Sequence, residues 1–214
     1  MIGRGAFVLL MIATIVALPQ TACATRSFDI GGGLVSGGYL GELRHDWRAG
    51  VGGMLYVQTL LCCDVEGRLS ASMQWNDGSM VKSRAPSNDP DLGALPGDRP
   101  RTFRRATYAA TVLWRLERLA LGDVGLPYVG VGGGTYERVV RYAMPNDGGV
   151  ESAPVEIHEA RGWDLGIHAV GGLRLYRTSG MYVALEGAIH GIDTPNRWTT
   201  AYNGAILVGI EMTP

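Results

Sequence analysis

The sequence predicts an all-β fold: an eight-stranded antiparallel up-and-down transmembrane β-barrel. Three observations carry this. Apolar and polar residues alternate with period two in eight segments, the signature of half-buried strands. The connections between segments alternate between long and short, as in barrels with loops on one side of a membrane and tight turns on the other. Four of the five tryptophans then fall at one predicted end of the strands.

The N-terminus sets the compartment. Arg4 supplies a short positive region, and Phe7 to Leu18 is apolar but short of the ~20 residues that a spanning helix needs. Ala22 and Ala24 flank Cys23 as the small residues read by signal peptidase, so residues 1–24 read as a secretory signal peptide and 25–214 as the barrel. An uncleaved anchor is the alternative reading of the apolar run. Cys23 raises lipid attachment as another, but Gln20 stands where the lipoprotein motif wants an aliphatic residue.

The eight segments follow in order. Residues 27–36 set Phe28, Ile30 and Leu34 opposite Asp29. Residues 46–58 set Trp47, Ala49, Val51, Gly53, Leu55 and Val57 opposite Arg48. The clearest, 65–75, sets Val65, Gly67, Leu69, Ala71, Met73 and Trp75 against Glu66, Arg68, Ser70, Ser72 and Gln74. Residues 104–117 set Tyr108, Ala110, Val112, Trp114 and Leu116 against Thr107, Thr111, Arg115 and Glu117. In 126–137 the glycines blur which side is which. Residues 162–176 set Trp163, Leu165, Ile167, Ala169, Leu173 and Leu175 against Asp164, His168 and Arg174. Residues 181–192 set Val183, Leu185, Gly187 and Ile189 against Glu186 and His190. Residues 199–212 set Tyr202, Gly204, Ile206, Val208 and Ile210 against Asn203 and Glu211. Most are near the ~9–11 residues that cross a bilayer when tilted.

Loops 76–103 and 138–161 are long and polar, while 59–64, 118–125 and 177–180 are short. This asymmetry predicts a bacterial outer membrane, with the long loops outside and free to meet a surface ligand. If the first strand runs outward, Trp47, Trp75, Trp163 and Trp198 form an outer girdle, with Phe28 and Trp114 near the inner rim.

A barrel in lipid turns its apolar set outward, so the polar set fills the lumen. The expected lumen charges are Asp29, Arg48, Glu66, Arg68, Arg115, Glu117, Asp164, Arg174 and Glu186, with His168 and His190 among them. Eight strands enclose room for little more than side chains, so an ion-paired filling is expected. A gated path for small ions is the alternative.

The segments LPYVGVGGGTY (126–136), GWDLGIHAVGGLRLY (162–176) and YVALEG (182–187) resemble small outer-membrane barrels of the OmpA/OmpX type. The resemblance implies the barrel fold, an outer-membrane location, and outer-membrane lipid and the barrel-assembly machinery as partners. Members commonly end on an aromatic residue, whereas this sequence ends GIEMTP. The peptidoglycan-binding domain that follows the barrel of OmpA itself is not found after the eighth segment, so no cell-wall tether is implied.

Other chemistry finds little footing. A net charge of -1 lacks the basic footprint of nucleic-acid binding. Lipid-deacylating barrels carry a serine two positions after a histidine, but His190 is followed by Gly191, Ile192 and Asp193, so no enzyme is expected. Glu186, four residues before His190, would be placed to orient its imidazole. His168 and His190 make two metal ligands without a third. The glycines at 130–134 lack the last glycine and the helix of a nucleotide loop, and no cofactor is expected. Asn88, Asp89, Asp91 and Asp98 invite a Ca²⁺ reading, but a plain polar loop suffices. Adjacent Cys62 and Cys63 read as turn thiols. A soluble lipocalin-like barrel, with the faces reversed, shares the same alternation.

Overall fold

A computed structural model describes residues 28–40, 49–77, 101–122, 125–145, 155–178, 180–194 and 197–212. The leader, with Cys23, and the expected site residues Trp47 and Arg48 lie outside the described residues, as do 88–98. The strands are β1 (Phe28–Tyr39), β2 (Gly50–Cys62), β3 (Val65–Asp77), β4 (Arg101–Arg115), β5 (Leu126–Pro145), β6 (Val155–Thr178), β7 (Met181–Thr194) and β8 (Arg197–Met212). Each pairs antiparallel with its sequence neighbour, and β8 returns to β1 to close the barrel. Closure removes the two open edges that would otherwise leave backbone groups unpaired in an apolar solvent.

One end of the barrel carries Phe28, paired with Thr59 and with Met212, and therefore both described chain ends. The opposite end carries Trp75, paired with Val51 and Arg104. These are called the terminal end and the loop end. At the terminal end β6 turns into β7 through Gly180, whose φ of 82° lies in the left-handed region that glycine adopts without a Cβ clash. Its carbonyl accepts a 2.6 Å hydrogen bond from the Glu211 amide, tying the turn to β8.

Side chains alternate across the wall as the period-two pattern requires. On β8, Ile206 is 57% exposed and its neighbour Leu207 only 1%. On β6, Ile167 is 63% exposed while His168 is buried. Leu34, Val51, Leu55, Val131 and Ile189 continue the outward apolar surface. The molecule is thus apolar outside and charged inside.

The strands outrun the alternating segments at the loop end. Residues 138–145 and 155–161, expected within a loop, are ladder-paired strand, from Arg138 opposite Gly162 to Pro145 opposite Val155. Asn76, Asp77 and 101–103 likewise join β3 and β4. The reason is physical: alternation marks only the part of a hairpin with one apolar face, whereas backbone pairing continues wherever two strands stay adjacent. The stretches between these paired strands accordingly shorten to 78–100 and 146–154, which lie outside the described residues.

Candidate functional site

The lumen is the natural place to look for function, because polar and charged side chains converge there from strands all around the wall. Nearest the terminal end, Arg174 of β6 donates to Glu66 of β3 through both terminal nitrogens, at 2.6 and 3.1 Å. Gln58 Nε2 donates to the same carboxylate at 2.8 Å and reaches Asp29 at 3.5 Å. Tyr182 donates to Asp29 at 3.1 Å, and Tyr56 donates to Tyr182 at 2.9 Å. The Arg174 guanidinium also lies over the rings of Tyr182 and Tyr128, 4.9 and 5.6 Å from their centroids. A second fork joins Arg68 to Glu186 at 2.5 and 3.1 Å, with Tyr128 donating to Glu186 at 2.8 Å. Planar bidentate pairing of this kind is the arrangement in which arginine serves best as a buried cation.

Glycines make room for these tyrosines. A Cβ at Gly209 would stand 2.4 Å from Tyr182 Cζ and 2.5 Å from the Tyr56 hydroxyl, and one at Gly172 would stand 2.4 Å from Tyr128 Cζ. Tyr182 and Tyr128 are the register partners of Gly209 and Gly172, and the hydroxyl ends of the rings fill the space a Cβ would take. Gly209→Val is therefore expected to displace Tyr182 and Tyr56 together and to lower stability by about 1–3 kcal/mol. Denaturant titration in detergent micelles checks this. An unchanged midpoint would show that the ring positions are not constrained.

Midway, His168 and His190 are register partners on β6 and β7, with ring centroids 5.5 Å apart. His168 Nε2 meets Thr111 Oγ1 at 2.9 Å. His190 Nε2 meets Asn203 Oδ1 at 3.1 Å, and Nδ1 meets the Tyr136 hydroxyl at 2.8 Å. A neutral ring with its proton on Nε2 satisfies both contacts of His190. Among the described residues no group of three or more His, Cys, Asp or Glu could hold a metal ion.

Toward the loop end, Arg105 donates to Gln74 at 2.5 Å and lies 5.4 Å from the centroid of Tyr39. Tyr39, Phe103, Tyr136, Val140, Ile192 and Ala201 form a buried apolar cluster there. At the same level, Arg138, between Tyr136 and Val140 on β5, donates through Nε to Asp164 at 2.6 Å. On the outer side of the same hairpin, Glu159 accepts from Arg161 at 2.5 Å and from Arg141 at 2.9 Å. These two hydrogen bonds, Arg161's first, hold the Glu159 carboxyl below its ordinary range.

Asp29, Glu66, Arg68, Asp164, His168, Arg174, Glu186 and His190 thus face the lumen, in separate tiers. Two expected members do not belong. Arg115 ends β4 at the terminal rim, donating to the Cys63 carbonyl and lying 3.5 Å from Glu117. Glu117 is exposed, in the short 3-10 turn Glu117–Leu119, because the chain leaves the sheet after Arg115 and the alternation ceases to have meaning. Glu186 orients no imidazole: its carboxylate is taken by Arg68 and Tyr128. Cys62 and Cys63 are exposed at the same rim and are not joined in a disulfide.

Gln58, Arg105 and the tyrosines Tyr39, Tyr56, Tyr128, Tyr136 and Tyr182 are absent from the expected set. For Tyr56, Gln58 and Tyr182, strand parity alone was a sufficient signal, since they lie an even number of residues from Arg48 or Glu186. Arg138 had no such signal, lying beyond the glycine-blurred segment.

The aromatic residues sort by end. Trp75, Trp163 and Trp198 stand outward near the loop end, and Phe28 and Trp114 outward near the terminal end. Trp163 stacks on Tyr108 at 6.1 Å between centroids.

No family model and no curated protein sequence matches this chain. Solved structures do match its fold. A major outer membrane protein of Thermus thermophilus superposes with a TM-score of 0.55 at 14% identity, covering 87% of this chain and 99% of that one. The outer membrane protein OprG of Pseudomonas aeruginosa gives 0.52 at 10% identity, covering 87% and 95%. Ail, the attachment invasion locus protein of Yersinia pestis, gives 0.48 at 10% identity, covering 88% and 98%. The architecture is that of small outer-membrane β-barrels of the OmpA/OmpX type.

Proposed function

We propose that the chain is a barrel of a bacterial outer membrane with a structural or surface-interaction role, its lumen closed by ion-paired side chains. The observation that carries this is the inside-out distribution: a wall of exposed Leu, Ile and Val around buried Arg–Glu forks. Water would penalise that wall, and hydrocarbon would penalise the charges anywhere but the interior. Trp75, Trp163 and Trp198 at one end of the apolar surface, with Phe28 and Trp114 at the other, support interfacial girdles. The loop end, farthest from the chain termini, is then the outer face.

Transport through the lumen draws little support. The forks tie β3 to β6 and β3 to β7 straight across the interior, and the apolar cluster around Tyr136 lies on the same axis. A soluble ligand-binding barrel needs an apolar lining, and this lining is charged. A catalytic reading of His190 fares no better, with both ring nitrogens engaged by Tyr136 and Asn203.

The test is gel mobility of boiled against unboiled protein from purified outer membranes. A heat-dependent shift in that fraction is expected, as for a barrel that resists detergent until boiled. Recovery only in the soluble periplasm would overturn the reading. Deleting residues 80–100 is expected to leave the shift intact and to weaken any binding made through that loop. Loss of the shift would make the segment structural.

A further inference from the structure

The β5–β6 hairpin rises above its neighbours and leaves one edge open. β6 pairs with β5 over its length from Val155, but its first partner on β7 is Asp193, opposite Leu165. β7 has by then turned, Thr194 pairing with Arg197 of β8. Among the described residues, 155–162 therefore have a strand on one side only. Eight residues at ~3.4 Å each make an edge of about 27 Å. A long edge of unpaired N–H and C=O groups is a template for another strand.

The sequence of this edge is self-complementary in one register. An antiparallel pair centred on Ala160 sets Glu159 of one copy opposite Arg161 of the other, twice over. Glu159 and Arg161 are on the outward face of the hairpin, their side chains 27% and 61% exposed, so both can exchange partners. Centring on Glu159 instead would oppose two carboxylates.

We propose that this edge pairs with the same edge of a second copy, joining two hairpins into one four-stranded sheet. The pairing is isologous, with the two-fold axis normal to the sheet at Ala160. Antiparallel strands that both rise from a membrane belong to membranes facing each other. The contact is therefore between two surfaces, a homotypic adhesion. This rests on the outer-membrane reading, and deepens it by naming the partner as the chain itself.

Cysteine cross-linking tests the register, in a background with Cys62→Ser and Cys63→Ser. Either type of antiparallel pair brings opposed Cα atoms to about 4.5–5.5 Å, within disulfide reach. Ala160→Cys alone is expected to form a disulfide dimer under mild oxidation. His158→Cys and Gly162→Cys are each expected to stay monomeric alone and to cross-link when mixed. Arg161→Glu should slow the Ala160→Cys reaction about tenfold. Liposomes carrying the parent protein should aggregate, and those carrying Arg161→Glu should not. A monomer for Ala160→Cys, or equal dimer at all three positions, overturns the proposal. The heat-dependent gel shift, read on the same samples, reports separately on the barrel.

Discussion

Replacing Glu186 with alanine is expected to destabilise the barrel by about 3–5 kcal/mol, the cost of leaving one partner of a buried ion pair alone. The side chain of Arg68 is 5% exposed, and the fork to Glu186 supplies its charged partner. In the Ala variant the Tyr56 ring, its centroid 5.8 Å from the guanidinium carbon, stays beside the charge but cannot replace a carboxylate. Tyr128 loses its acceptor in the same step. With a urea slope of about 1–3 kcal/mol/M, the unfolding midpoint should fall by more than 1 M. Glu186→Gln keeps an acceptor for Tyr128 and should fall less. The double change Arg68→Met with Glu186→Leu removes both charges and should restore most of the loss. If the double variant is no better than Glu186→Ala, the pair matters for something other than its charge balance. Conductance adds a second readout. The parent protein is expected to be silent in a planar bilayer, and current appearing only in Glu186→Ala would identify this fork as the closure of the lumen.

The fold was legible because a lipid-facing barrel writes its structure in the simplest code available. Each outward residue must be apolar and each inward residue is free to be polar, so Ile206 beside Leu207 and Ile167 beside His168 follow from position along the strand. Leu207 already breaks the polarity half of the rule: it is apolar and inward, packed with Val35 and Tyr182. Parity with Asn203 and Glu211 places it inward, where hydropathy alone would not. Where the code stops, so did the reading. Beyond Trp163 the hairpin leaves the region in which one face must be apolar, and Arg138, Arg141, Glu159 and Arg161 looked like loop. Arg115 and Glu117 failed at the other end for the opposite reason, since alternation was extended past the last paired residue. Partner choice inside the lumen was the least legible part. Position along each strand puts Arg68, Arg174, Glu66 and Glu186 in the lumen together. Which arginine takes which carboxylate depends on stagger around the barrel, a long-range quantity that no single strand encodes.

The lipid-facing wall makes the second large prediction. Ile206→Arg is expected to cost about 2–4 kcal/mol when the protein is folded into a bilayer. Ile206 lies between Trp198 and Met212 on β8, opposite Leu34 of β1 and Leu185 of β7, in the middle of the apolar surface. An arginine there must reach an interface or drag water toward itself. Trp198→Arg, at the end of the same strand, removes a ring but sets the charge near headgroups, where the charge itself costs only about 0–1 kcal/mol. In a soluble barrel the ordering vanishes: Ile206 is as open to solvent as any surface residue, and a substitution there stays within about 0.5 kcal/mol. Reversible unfolding of both variants from liposomes therefore reads the solvent of the wall directly. A large loss at 206 with a small one at 198 is the depth profile of a membrane. Equal and negligible losses would mean that the exposed Leu, Ile and Val of this wall meet water or a protein partner, and the charged lumen would then need a different explanation.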